Sequence, residues 1–408
     1  MNVETGDVMG MAQYPSFDLN DPMEPQNEAE KEAFKEMSEE EQSVYLADMW
    51  RNSLICDVYE PGSTFKLLTT STALEEDVTD MKHKYQCNSG YTVDGRFIQC
   101  WAYPDSHGTE TLKEAVSNSC NPVFMKLALK IGIEKFYEYL DVFGITQKTG
   151  IDFPGETTAI LQDKDSAGNV GLATIGFGQG VAVTPIQLIT AVCSLGNEGK
   201  LMKPRLVKAM TDSEGNVVQE FKPTAVRRTV SKKTARQLCD IMEFVADGGG
   251  AANAAVEGYR VGAKTGTANK PREGGGGYSS DTYSSCIAMA PMNDPKIAVL
   301  IIVDSPKGVK FGSVTAAPAV SRVLSKTLPY LNVSSDAKVD RSKDGKYVDV
   351  PDVIGKNVSD AAGLLESEGL SYDMEKSKDG DEDYLVIKQH PVAGTRVVKG
   401  TKVFLYRE

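Results

Sequence analysis

The chain has 408 residues, 41% hydrophobic and 25% charged, with a formal net charge of −13 at pH 7. That length allows two or three domains, and the acidic balance argues against a nucleic-acid partner, which would favour a basic face. No stretch nears the roughly 18 consecutive apolar residues of a membrane span, and no basic-apolar-small leader opens the chain.

The first residues, NVETGDVMGMAQYP, read as strand, turn, strand, with the turn at Thr5-Gly6. The first run begins at Met1 and is only a few residues long, as though cut short. PSFDLNDP then reads as loop, and residues 27–49 as a charged helix with a solvated face. The segment YEPGSTFK follows at 59–66, heading the helix-compatible run STFKLLTTSTALEE. It sets Ser63 three residues before Lys66, a spacing that puts two side chains on one helix face. A serine is a weak nucleophile until a neighbouring base takes its proton, and a lysine serves as that base when its surroundings lower its pKa.

From 63 to about 245 the pattern is mainly helical. AVSNSCNPVF carries Ser119-Cys120-Asn121 into the run VFMKLALKIGIEKFYEYLDVFGI, with Pro122 suited to a first helical turn. Asn121 by itself reads as a helix N-cap. GFGQGVAVTPIQLITAVCSLGNEG is a glycine-rich loop feeding a helix, without the preceding strand that a phosphate-binding fingerprint needs. Glu156, in FPGETT, reads as a loop carboxylate. Strand character returns at 260 in RVGAKTGTA, SSCIAMA and KIAVLIIVDS, with a hairpin turn at Met292-Asn293-Asp294-Pro295. The first of these strands holds Lys264-Thr265-Gly266-Thr267, where Lys264 alone could simply blunt a sheet edge. A helix-like segment, SVTAAPAVSRVLSKTLPYL, closes the region. The order predicts an α+β domain over 1–331, with helices packed on an antiparallel sheet. Residues 332–346 read as a linker. Residues 347–408 read as a small α+β domain with one helix, Val358 to Glu368 capped by Gly369, and about three strands.

Seven cysteines are too few for a disulfide scaffold at this length. His83, His107 and His390 are scattered and suggest neither a Ser-His-Asp site nor a zinc site. No metal and no cofactor is expected.

Three elements in this order, Ser-x-x-Lys, Ser-x-Asn and Lys-Thr-Gly, match the penicillin-recognising serine acyltransferases. Ser63 would attack an acyl carbon, Lys66 would accept its proton, and Ser119 would relay that proton to the leaving amine. Asn121 would pin the substrate backbone. Lys264 would set a positive field beside a substrate carboxylate and help depress the pKa of Lys66. Thr265 and Thr267 offer hydroxyls to that carboxylate, and Gly266 permits close backbone approach. The backbone N–H groups of Ser63 and Thr267 would form an oxyanion hole.

The flanks narrow the match. TGDVMGMAQYPSFDLNDP, YEPGSTFK, HGTETLKEAVSNSCNPVF, GFGQGVAVTPIQL, AKTGTA and APMNDPKIAVLIIVD resemble class B penicillin-binding proteins over about residues 1–331. VPDVIGKNVSDAAGLLESEGL through HPVAGTRVVKGTKVFLY resembles a single PASTA domain, a combination like that of the sporulation-specific (stage V, protein D) branch. The resemblance implies the serine β-lactamase-like transpeptidase fold and a D,D-transpeptidase that cross-links peptidoglycan stem peptides through an acyl-serine intermediate. It implies acylation by β-lactams, a membrane glycosyltransferase partner, and a place on the extracytoplasmic face of the bacterial membrane. Relatives carry an N-terminal membrane helix and a pedestal domain that this chain does not show. Cys120 lies between two working residues, with Cys87 and Cys100 upstream, and a Cys100–Cys120 disulfide would act there as a redox switch. The competing functions are a β-lactamase or D,D-carboxypeptidase of the same superfamily, and a non-catalytic wall-binding sensor.

Overall fold

The computed structural model describes residues 1–272, 274, 276–336, 339, 345–375 and 383–407. Near the N-terminus, α1 (Glu28–Lys35) and α2 (Glu39–Trp50) are capped by Asn27 and Ser38 and bury no residue, as their charge predicts. In contrast, α3 (Lys66–Glu75) is buried from Lys66 to Leu74. Its polar residues tolerate this because Thr70, Ser71 and Thr72 donate their hydroxyls to carbonyls three or four residues back.

Four short strands follow, β1 (Lys84–Cys87), β2 (Gly90–Val93), β3 (Arg96–Gln99) and β4 (Gly108–Thr111). They pair as β1 with β4 and β2 with β3, both antiparallel. The mainly helical reading of this region missed them, since four-residue strands are too short to show a period. The chain then forms α4 (Leu112–Ser117), α5 (Asn121–Ile131), α6 (Pro185–Gly196) and α7 (Lys232–Ala246). The central sheet is antiparallel in the order β5 (Gly262–Pro271), β6 (Tyr278–Ala290), β7 (Ile297–Asp304). In β6, residues 284–290 are buried without alternation, as expected of a strand covered on both faces. The last helix of this region, α8 (Ala317–Tyr330), packs on β6 and β7, while α7 packs on β5. This is the α+β architecture expected from the order of elements.

The opening segment departs from the strand-turn-strand expectation. Asn2 and Asp7 make isolated bridges, to Ile297 and Arg205 respectively. The Asn2 side chain accepts from the N–H groups of Glu4 and Thr5, turning the chain before a ladder can extend. The Met1 amine still donates to Ala298 O, 2.9 Å away.

The C-terminal module contains β8 (Tyr347–Asp349), α9 (Val358–Ser367), β9 (Ser371–Met374), β10 (Lys388–His390), β11 (Arg396–Val398) and β12 (Lys402–Tyr406). β12 lies between β9 and β10, and β8 pairs with β11. Its core is separate, built on Val353, Leu365, Val397, Val403 and Leu405 among others. Gly369 ends α9 at φ 76°, a left-handed position that glycine adopts freely. Five strands replace the expected three because each is only three to five residues long. Residues 337, 338 and 340–344 of the expected linker lie outside the described residues.

The module rests on the segment 307–314. Tyr406 donates to Lys307 O at 3.0 Å, Phe404 clusters with Val309 and Val314, and His390 Nε2 lies 2.8 Å from Val314 O. Asn253 reaches it too, accepting from Val398 N and donating to Thr401 Oγ1. Burial lowers the His390 pKa, and Arg322 and Lys388 add repulsion. A lowered folded pKa means that the unfolded chain takes up the proton first. The contribution of His390 is therefore intact above about pH 6.5 and is lost as pH falls toward the depressed folded value. Thermal melts between pH 7 and 5 should accordingly fall more steeply for the native chain than for His390→Gln. Parallel curves would show that His390 does not govern this dependence.

Candidate active site

Ser63 occupies a single 3₁₀ turn, Gly62–Thr64, that runs directly into α3. The turn is held from outside by Gly62 N donating to Gly178 O at 2.9 Å. That approach needs glycine at 178. Its φ is 85°, and a Cβ there would sit 2.0 Å from Gly62 O. The glycine-rich loop 176–180 is thus a brace for the turn that carries Ser63. On the other side, a Cβ on Gly266 would meet Ser285 Oγ at 2.5 Å and Pro61 O at 2.8 Å, so glycine lets β5 lie against the same turn.

The second element sits in the break between α4 and α5. Ser119 has φ 56°, a left-handed conformation uncommon for a non-glycine residue. Cys120 is the N-cap position of α5 and makes no side-chain cap bond. Asn121 is the first helical residue, so it does not cap; its Oδ1 instead accepts from Lys66 Nζ at 2.7 Å. Lys66 Nζ also lies 2.7 Å from Ser119 O and 3.1 Å from Ser119 Oγ. Lys264 Nζ reaches the same Ser119 Oγ at 3.1 Å and donates to Thr265 O at 2.8 Å.

Lys66 and Lys264 are 0% and 1% exposed. That excludes edge-blunting for Lys264 and a surface role for Lys66. Burial, and then the neighbouring Lys264 charge, hold the Lys66 amine well below the ordinary lysine range. Burial pulls Lys264 down to about 7. Desolvation disfavours each ammonium, and like charge makes two of them around one hydroxyl worse.

Beside them lies a cleft of about 900 Å³ lined by Ser63, Ser119, Asn121, Thr265, Gly266 and Thr267 together with aromatic residues. Thr265 Oγ1 is turned to Gly250 O at 3.3 Å, and Thr267 Oγ1 accepts from Gly312 N at 3.2 Å. Thr267 therefore keeps its hydroxyl proton for a ligand. The aromatic rim, Trp101, Phe177, Phe244 and Phe311, is absent from the sequence reading. Trp101 is 60% exposed yet fixed, its Nε1 donating to Asn118 O at 2.8 Å; an isolated aromatic in a polar loop offers no motif. Glu156 lies away from the cleft. Its carboxylate accepts from Thr149 N, Thr149 Oγ1 and Gly150 N, as a loop carboxylate should.

All seven cysteines are free thiols, six of them buried. Among the described residues, Cys87, Cys100, His107 and Cys120 converge, with one potential ligand atom from each lying within 4.8 Å of every other. The reading of the histidines as scattered fails at His107, which the fold brings beside three cysteines. Antiparallel pairing of β1 with β4 puts Cys87 opposite Gly108. Spacing along the chain could not reveal that.

Two desolvated lysines thus converge on one serine, which shares a cleft with Ser63. The family described as "Penicillin binding protein transpeptidase domain" matches residues 1–325, and "PASTA domain" matches 348–406. The chain belongs to the penicillin-binding-protein transpeptidase family. It is 38% identical to stage V sporulation protein D of Bacillus subtilis over its whole length, covering 60% of that protein. Against Peptidoglycan D,D-transpeptidase FtsI of Escherichia coli K12 it is 27% identical, with 83% of this chain and 52% of the relative covered. The chain thus spans about half to three-fifths of the curated relatives it matches. Among solved structures, the apo transpeptidase domain of Burkholderia pseudomallei penicillin-binding protein 3 superposes with a TM-score of 0.66 at 28% identity, covering 82% of this chain and 88% of that one.

Proposed function

We propose that this chain is a serine-type D,D-transpeptidase of peptidoglycan synthesis, of the sporulation branch. The observation that carries the proposal is the convergence of Lys66 Nζ and Lys264 Nζ on Ser119 Oγ, on a cleft shared with Ser63. Ser63 Oγ attacks the penultimate D-Ala carbonyl of a stem peptide while the neutral Lys66 amine takes its proton. The N–H groups of Ser63 and Thr267 hold the oxyanion. As the tetrahedral centre collapses, the carbon–nitrogen bond to the terminal D-Ala breaks and Ser119 passes a proton to the departing amine, taking a replacement from the Lys66 ammonium beside it. Asn121 holds the peptide backbone, and Lys264 with Thr265 and Thr267 holds the terminal carboxylate. An amine of a neighbouring stem then takes the acyl group from Ser63.

A β-lactam would mimic the D-Ala dipeptide and leave a stable acyl-enzyme. A hydrolase needs a further base to drive water onto that ester, and Glu156, read as a loop carboxylate, is engaged by Thr149 and Gly150 of its own loop. A membrane glycosyltransferase supplying glycan strands on the extracytoplasmic face is the partner such chemistry calls for. No helix among the described residues is long and apolar enough to cross a membrane. Intact-mass analysis with penicillin tests the nucleophile. One penicilloyl adduct is expected on the native chain and none on Ser63→Ala. An adduct on both would refute the assignment.

A further inference from the structure

We propose that the cleft wall beyond Thr265, formed by Trp101, Glu114, Ser117, Phe244, Asp247 and Gly250, seats the acceptor stem, and that it favours an acceptor whose reacting amine stands beside a carboxylate and carries a cationic arm. This rests on the acyl-transfer reading of Ser63. Aminolysis of the acyl-enzyme is acylation run backwards with a new amine, so the acceptor nitrogen enters where the terminal D-Ala nitrogen left. The nitrogen–carbonyl bond forms, the ester bond to Ser63 Oγ breaks, and the proton that the nitrogen loses returns to Ser63 through Ser119 and Lys66. The carboxylate seat at Lys264, Thr265 and Thr267 is vacated with D-Ala, so an amine with its own neighbouring carboxylate fits in the same way. The remainder of the acceptor then leaves the reacting centre past Ser119 and Thr265.

What lies past those two residues is one continuous surface. Thr265 Oγ1 donates to Gly250 O at 3.3 Å, and Gly250 N donates to Ser117 Oγ at 3.3 Å. A Cβ on Gly249 would sit 2.3 Å from Ser117 Oγ, and one on Gly250 2.4 Å from Ser117 O. Glycine there lets the loop close the gap between β5 and α4. Trp101 stands on the same wall, tied to the carbonyl of Asn118, the residue before Ser119. Both rings face outward, Trp101 at 60% and Phe244 at 38% exposure. Aromatic surface left open on a cleft is surface for a ligand rather than for the core.

The charge of the wall chooses the arm. Among the described residues lining the cleft, the charged ones are Glu114 and Asp247, and both are on this side. The ammonium of Lys113 lies over the Phe244 ring, 5.1 Å from its centroid, so that ring already holds a cation and Trp101 is the ring left to a ligand. An aliphatic arm ending in an ammonium suits such a surface, its stem along the indole and its head toward the carboxylates. There is room for it. The cleft, about 900 Å³, is near the top of the roughly 300–1,000 Å³ range of ligand pockets, which leaves space beyond a donor dipeptide.

The test gives the full chain a thioester analogue of the donor dipeptide and lets it partition the acyl group between water and an acceptor, either D-alanine, which has no arm, or D-lysine, which has one. The native chain should aminolyse with D-lysine about 2- to 5-fold faster than with D-alanine, the gain of an exposed cation–aromatic contact. Tandem mass spectrometry should place the new bond on the amine beside the carboxylate. Trp101→Ala and Glu114→Gln should each bring the preference toward one, with penicillin acylation and D-alanine transfer unchanged. Glutamine still caps α4 through Thr111, and Trp101→Phe, which keeps a ring, should retain most of the preference. Equal rates for the two acceptors in the native chain overturn the proposal, as does a bond to the side-chain amine or a preference that survives both substitutions. A native chain that penicillin does not acylate would bring down the Ser63 reading, and this proposal with it; one that is acylated but shows no preference overturns this proposal alone.

Discussion

Lys66→Met is expected to slow acylation of Ser63 by penicillin by about 10²- to 10⁴-fold, the range a positioned general base contributes. Methionine matches the buried stem of Lys66 and carries no charge into a site that already disfavours one, so the fold should survive. The pH profile separates a base from a merely structural lysine. The pKa of Lys66 is lowered, so its amine stays neutral, and competent, further into the acid range than an ordinary lysine. In the native chain acylation should therefore fall only as pH drops through that depressed value, whereas Lys66→Met should show no such acid limb. Stopped-flow acylation with a chromogenic β-lactam gives both quantities. An unchanged rate, or the same acid limb in both proteins, would remove Lys66 from the proposed role.

Gly178→Ala should be the most damaging single-methyl change around the cleft. Its left-handed backbone costs an L-residue about 1–2 kcal/mol, and forced overpacking adds about 1–3 kcal/mol, so a loss of roughly 2–5 kcal/mol is expected. The clash is with backbone, Gly62 O at 2.0 Å and Phe65 Cβ at 2.8 Å, and the turn carrying Ser63 has to move. A displacement of about 1 Å at a reacting group can cost 10²-fold in rate. Thermal melting and the acylation rate should fall together. The control is Gly248→Ala, which shares a positive φ but has no atom within 4 Å of the added carbon; it should lose only the backbone term. Equal effects at 178 and 248 would show that the brace is not what matters.

Most of the candidate site was legible because its elements are local or motif-borne. Ser63 and Lys66 are three residues apart, and Ser119 and Asn121 flank one cysteine. The Lys264 strand carries its own glycine and threonines. Misreadings fall where tertiary contact decides. Asn121 has the composition of a cap, but Lys66, brought alongside by the packing of α3 against α5, takes its oxygen instead. The run after Met1 has strand character, yet the Asn2 side chain turns it. His107 and three cysteines are spread over more than thirty positions, and pairing in the fold, such as that of Cys87 with Gly108, gathers them. The aromatic rim has no pattern at all, since each ring arrives from a different loop or helix.

The three partners of Lys66 also impose a direction on proton movement. A neutral amine has two N–H bonds and one lone pair. Ser119 O and Asn121 Oδ1 are carbonyl oxygens and can only accept. When Lys66 is neutral, its two hydrogens go to them, and the lone pair faces the remaining neighbour, Ser119 Oγ, which must then donate. That hydroxyl can at the same time accept from Lys264. Lys264, Ser119 and Lys66 so form a short wire with a fixed polarity, its hydrogens all pointing toward Lys66. For the amine to take the proton of Ser63, as proposed, the Ser119 hydroxyl must first give up that lone pair; the resulting ammonium donates in its turn to Ser119 Oγ, whose own proton is then free to swing toward a leaving group. The same hydrogen count that occupies the base at rest thereby arms the acid for the following step.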